Sequence, residues 1–131
     1  MRNGAPALPT ERLMIARIWH GWTKPADAKA YEKMLREEIF PSIAARRIEG
    51  YRGAELFIRE DGDEVEFVTL LRFDSMDAVT EFSGPETSKP VIFPKAEALI
   101  TRMEQARHYR VGIVRWNALS STRWQQCGFA A

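Results

Sequence analysis

Residues 53–73 read GAELFIREDGDEVEFVTLLRF. Two runs rich in β-branched and aromatic residues, GAELFIRE and EVEFVTLLRF, flank the tripeptide Asp61-Gly62-Asp63. Glycine accepts the positive φ that tight hairpins demand, so the stretch is expected to be two antiparallel strands joined by a turn. In the second run Val65, Phe67, Thr69, Leu71 and Phe73 alternate onto one side, as a half-buried strand requires. The other side is not purely polar, because Val68 and Leu70 stand among Glu66 and Arg72. A sheet with helices on one face alone alternates more cleanly. The open face is therefore expected to be covered by a second copy of the chain, making a homodimer.

Upstream of the hairpin, MIARIWHGW (residues 14–22) is a strand rich in Ile and Trp. TKPADAKAYEKMLREEI (residues 23–39) follows as a helix, with Thr23 as its expected cap and Pro25 in its first turn. Ala28, Tyr31, Leu35 and Ile39 recur at helical spacing as its buried stripe, and Pro41 is expected to kink or restart it. Downstream, DSMDAVTEFSG (residues 74–84) opens a short helix capped by Asp74 or Ser75. Pro85, Pro90 and Pro94 interrupt the chain, PKAEALITRMEQA (residues 94–106) reads as another helix, and HYRVGIV (residues 108–114) as the fourth strand. The order β-α-β-β-α-β predicts an α+β, ferredoxin-like fold, a four-stranded antiparallel sheet with helices on one face. Residues 1–12 read as a loose arm, 13–114 as the domain and 115–131 as a tail carrying Trp116 and Trp124.

A chain of 131 residues is one domain by length. Nineteen basic against eighteen acidic residues leave a net charge of +1. That balance provides no basic excess to hold nucleic acid or an anionic membrane. Cys127 is the single cysteine, so no disulfide or cysteine-based metal cluster forms within the chain. The N-terminal stretch has no apolar run after Arg2, and nothing approaches the ~18 apolar residues of a membrane span. A cytoplasmic location is expected.

Three stretches, ARIWHGWT (residues 16–23), EFVTLLRFDSMDAVTEFSG (66–84) and HYRV (108–111), make the chain similar to the antibiotic biosynthesis monooxygenase family. That family belongs to the dimeric α+β barrel superfamily, and the resemblance covers about residues 13–114. It implies the fold, the homodimer, and oxygenation of an aromatic or polyketide-like small molecule without flavin or metal. The superfamily also contains haem-degrading enzymes, dehydratases, isomerases and proteins without known activity. Haem-degrading relatives resemble one another in a first-strand asparagine and a histidine on the second helix. Here the first strand has no asparagine and Ser75–Gln105 contains no histidine, so haem ligation in that manner is not expected. No cofactor or metal is assigned.

Oxygenation without a cofactor requires a base to make an electron-rich anion, and an apolar pocket to present that anion to dioxygen. Histidine suits the base, and the chain offers only His20 and His108. His20 ends the first strand and His108 opens the fourth; if those strands are antiparallel neighbours, both stand at one rim beside Trp19 or Trp22. The alternative is two exposed strand-end histidines with no chemical role. Arg17 shares a side of the first strand with Trp19 and has two readings: an ion pair with Glu55 or Glu66, or an anchor for a substrate carboxylate or phenolate. Tyr31, Phe82 and Phe93 are core residues that would line any cavity between sheet and helices. The competing functions are a non-catalytic ligand-binding or stress-related protein, and a lyase or isomerase using the pocket for proton transfer alone.

Overall fold

The computed structural model describes residues 14–115. The arm at residues 1–12 and the tail beyond Arg115, with Trp116 and Trp124, lie outside the described residues. Strand β1 (Ile15–Thr23) leads into α1 (Pro25–Met34), a π-helical turn at Leu35–Ile39 and α2 (Phe40–Ala45). The hairpin β2 (Tyr51–Asp61) and β3 (Glu64–Phe73) follows, then α3 (Met76–Ser83) and the single turn α4 (Pro94–Glu97). Two short strands, β4 (Ile100–Met103) and β5 (Arg107–Arg110), close the domain.

The hairpin forms as the sequence predicts, from Tyr51↔Phe73 to Asp61↔Glu64, with Gly62 at φ +67° in its turn. All pairings in the sheet are antiparallel, in the order β2-β3-β1-β4, with β5 also paired to β1. This is the ferredoxin-like arrangement. Its fourth position is shared: β4 runs beside Gly21–Thr23 and β5 beside Ile15–Ile18. Residues 94–106 therefore do not form the expected helix beyond Glu97. The end of β1 offers unpaired backbone groups, and satisfying them decides the conformation of Ile100–Met103 over local helix propensity. Thr101 adds side-chain bonds to the Trp22 carbonyl (3.2 Å) and Glu64 (2.9 Å).

The helical run keeps its predicted stripe, with Tyr31, Leu35 and Ile39 buried. Its break takes the form of a π turn. Proline at 41 has no N–H, and its ring would crowd the carbonyl four residues back; the run widens before it, Phe40 N–H bonding to the Leu35 carbonyl. Thr23 is not the cap. It is the fully buried last residue of β1, and its hydroxyl donates to the Lys24 carbonyl, while Lys24 holds the N-cap position without a side-chain bond. Ser75 does cap α3, accepting from the Ala78 N–H at 3.1 Å.

Strand parity fixes the core. Val65, Phe67, Thr69, Leu71 and Phe73 are all buried against the helices, Phe67 and Phe73 completely. Tyr31 meets Phe67 edge to face at 4.8 Å between ring centres, and Phe82 packs on Phe73 at 5.8 Å. Such aromatic pairs add roughly 0.5–1.5 kcal/mol each beyond the area they bury. They tie α1 and α3 to the middle of the sheet, and the space left between them is the cavity described next.

Candidate functional site

The cavity lies between the sheet and its helices. From the strands it is lined by Arg17, Trp19, Thr69 and Leu71, from the helical run by Tyr31, Leu35, Ile39, Phe40 and Ile43, and from α3 by Phe82. Val91, Ile92, Phe93 and Ala96 close its remaining side. Alternation along β1 brings Arg17 and Trp19 inward together. The Trp19 indole lies over Gly21: a Cβ there would stand 2.2 Å from Trp19 Cη2. Glycine at 21 is thus a packing requirement of the cavity wall. The free space is about 50 Å³, room for a few waters. A bound aromatic molecule needs roughly 300 Å³ or more; the strap of residues 84–93 between α3 and α4 bounds the space on one side.

Arg17 is the unusual group. Its side chain is buried, the whole residue only 3% exposed. Nη1 donates to the Thr87 carbonyl at 2.5 Å and to His108 Nε2 at 3.0 Å, and Nη2 donates to the Lys89 carbonyl at 3.0 Å. All three partners are neutral acceptors, and no carboxylate among the described residues pairs with it. A buried charge is ordinarily paired because its desolvation is expensive. Burial accordingly lowers its pKa to about 10. Phe82 lies under the guanidinium, 5.3 Å from ring centre to Cζ, which offsets a part of that cost.

Since a guanidinium only donates, His108 Nε2 is an acceptor and the neutral ring carries its proton on Nδ1. Burial first, and the Arg17 charge second, hold the His108 pKa below 6.5. Trp19 shows a second anomaly. It is 7% exposed, and its Nε1 is the one buried side-chain polar atom among the described residues that has no hydrogen-bond partner. Tyr31, also buried, has its phenol pKa raised by desolvation and stays protonated.

His20 belongs to the opposite face. Its Nδ1 donates to Glu66 Oε2 at 2.7 Å, and Glu66 also accepts from Arg59 at 2.9 Å. The His20 bond, with help from Arg59 and against burial, holds the Glu66 carboxyl below its usual range. Trp22 stands beside it, its Nε1 donating to Asp61 (3.1 Å) and its ring covered by the Arg102 guanidinium at 3.8 Å. The two histidines do not share a rim. His108 is opposite Arg17 in the β1–β5 register, whereas His20 is one parity step away on the helix-free face.

Of the residues singled out from sequence, the structure brings Arg17, Trp19, Tyr31, Phe82 and Phe93 to one cavity. His108 adjoins it through Arg17, and His20 and Trp22 are elsewhere. Neither ion pair expected of Arg17 forms: Glu55 pairs with Arg72 and Glu66 with His20 and Arg59. Thr69 was readable as inward-facing from strand parity. Val91 and Ile92 sit in a proline-broken stretch whose sequence carries no period.

The Arg17–His108 contact has a pH signature. A histidine whose folded pKa is depressed contributes stability above its unfolded value and loses it as pH falls through the folded one. Stability should therefore drop as pH goes below 6.5, the unperturbed value, and before Glu66 protonates. Urea midpoints from about pH 7.5 to about pH 5 should fall further in wild type than in His108→Gln, whose amide oxygen still accepts from Arg17. Equal falls would show that His108 is not held neutral by the fold.

No protein-family profile matches the chain, and no curated protein matches it. Solved structures do. One is named a putative antibiotic biosynthesis monooxygenase from Bacillus cereus, 13% identical, covering 80% of this chain and 99% of that one, at a TM-score of 0.58. A second, of the same putative name from Nitrosomonas europaea, is 14% identical over 83% and 100% of the two chains, at 0.57. A third is named a nipsnap family protein of unknown function from Agrobacterium tumefaciens, 22% identical over 83% and 96%, at 0.51. At these identities the likeness is one of backbone. The chain has the ferredoxin-like α+β fold of structures named as putative antibiotic biosynthesis monooxygenases.

Proposed function

We propose that the protein is a small cofactor-independent monooxygenase acting on an aromatic or polyketide-like molecule, bound as its anion in the cavity beside Arg17. One observation carries this reading: a guanidinium buried without a carboxylate, in a pocket whose other walls are aromatic and aliphatic. A phenolate or enolate supplies the missing negative charge, and an electron-rich ring anion is the species that reacts with dioxygen unaided. In such a reaction a ring methylene becomes a carbonyl; one oxygen atom enters the substrate and the other leaves as water with the two hydrogens lost. Arg17 stabilises the anion, and the apolar walls keep water from it. His108 acts as a positioning residue, an uncharged acceptor that orients Arg17, since its Nε2 is already engaged and it does not line the cavity.

A non-catalytic ligand-binding role is favoured by a different fact: no histidine or carboxylate lines the cavity to take a proton. Oxygen uptake with a panel of anthrones and quinols separates the two. Under the oxygenase reading wild type consumes oxygen, and Arg17→Met is slower by roughly 10²–10³-fold. Arg17→Lys should recover part of the loss, and His20→Ala should be near wild type. Saturable binding of the same compounds without uptake would establish the binding role instead.

The second part of the proposal is the homodimer. On the helix-free face Ile18, Val68 and Leu70 are half-buried and Phe57 is 49% exposed. Register places Val68 beside Phe57 and Leu70 beside Ile18, a continuous apolar patch with the His20–Glu66–Arg59 network at one end. A second copy laid face to face would cover it. Sedimentation at micromolar concentration should give twice the chain mass, and Phe57→Glu should shift the equilibrium toward monomer; a monomeric wild type would contradict the proposal.

A further inference from the structure

We infer that the outer edge of β2 is a self-pairing surface: two copies join their β2 strands antiparallel, across a two-fold axis at Phe57, into one continuous sheet. This contact goes beyond the face-to-face dimer, because it uses the edge of the sheet and not its helix-free face.

β2 is the last strand on its side of the sheet, paired among the described residues with β3 alone. Alternate backbone N–H and C=O groups of such a strand point outward with no ladder to join, and natural edges are blunted by shortness, proline or a bulge. β2 runs for 11 residues without proline, and its irregularity lies at its start, between Tyr51 and Gly53. Residues 57–60 are all exposed, and Phe57 and Ile58 present large apolar side chains at 49% and 43% exposure. Charges also guard edges, and Glu55, Arg59 and Glu60 flank this one. Their order is self-complementary.

Register with Thr69 and Phe67 puts Leu56 and Ile58 on the helix side, and leaves Glu55, Phe57 and Arg59 on the helix-free side. A two-fold axis perpendicular to the sheet keeps each face on its own side, so odd residues meet only odd ones. Centred on Phe57, the axis sets Glu55 opposite Arg59 twice by symmetry, Leu56 opposite Ile58, and Phe57 opposite itself. Each is a favourable cross-strand pair. One step either way loses this match. Centred on Leu56, the axis sets Glu55 against Phe57; centred on Ile58, it sets Glu55 against Asp61, a like charge. A contact confined to residues 54–60 is small and belongs with the transient interfaces, so it forms above the micromolar range of the face-to-face dimer.

Ala54 and Glu60 oppose each other in the same register, on the helix side, which points away from a copy laid on the helix-free face. Antiparallel partners stand about 4.5–5.5 Å apart between Cα atoms, within disulfide reach. Within one strand the same two positions are about 20 Å apart and cannot join. In Ala54→Cys/Glu60→Cys, with Cys127→Ser removing the native thiol, oxidation at roughly 1 mM protein should give a disulfide-linked species of twice the chain mass. Either cysteine alone should give none. Adding Glu55→Arg should slow linkage by about tenfold, through two reversed charge pairs, and adding Arg59→Glu as well should restore it. Absence of linkage, equal linkage through either single cysteine, or no recovery on the charge exchange would overturn the proposal. Linkage does not require the face-to-face dimer, so failure of one contact is read apart from failure of the other. Wild type supplies a check free of substitutions. Alternate amides among residues 54–60 should resist hydrogen exchange at roughly 1 mM and lose that protection on about 100-fold dilution. Rapid exchange at both concentrations, or protection unchanged by dilution, would contradict a reversible contact between copies.

Discussion

The buried guanidinium of Arg17 is the constraint around which this domain is arranged. It joins three pieces of chain that are far apart in sequence: β1, which carries it, β5, which supplies His108, and the strap, which supplies the Thr87 and Lys89 carbonyls. Because the three acceptors are neutral, the group is hydrogen-bonded but its charge is uncompensated. Polar satisfaction and charge compensation are separate requirements. The fold meets the first and leaves the second open. That residual charge distinguishes the cavity from a purely apolar void. The same bonds fasten the strap, residues 84–93, to β1.

The second organising fact is the parity of β1. Arg17, Trp19 and Gly21 face the helices, while Ile18, His20 and Trp22 face away. The two tryptophans therefore have opposite fates. Trp22 is fully partnered, by Asp61 through its N–H and by Arg102 over its ring. Trp19 lies against the cavity with its donor unused. One strand thus builds a cavity wall on one side and a charged, structured patch on the other, and a single-residue slip would exchange them.

Much of the fold was legible because it is written in periods. The alternation in Val65–Phe73, the stripe Tyr31–Leu35–Ile39 and the Asp-Gly-Asp turn each specify their element locally. The short strand Ile100–Met103 was not legible, since its conformation is set by the free edge of β1 and its own residues suit a helix as well. The site divided similarly. That Arg17 and Trp19 share a side follows from alternation, and the same alternation places His20 on the other. The partner of Arg17 depended on the register between β1 and β5, which no local pattern states. Val91–Phe93 enter the cavity wall through a segment shaped by prolines, where hydrophobic periodicity has no meaning.

If the uncompensated charge of Arg17 is the functional centre, it must act on what binds beside it. The most direct measurement is the ionisation of a bound nitrophenol, followed by absorbance against pH. A cation within a few ångströms stabilises a phenolate more than burial destabilises it, so the bound phenol should ionise at lower pH than the free one, by roughly 1 unit or more. Arg17→Met should abolish that shift. A bound phenol that ionises at the same pH as in water, or at a higher one, would contradict the account.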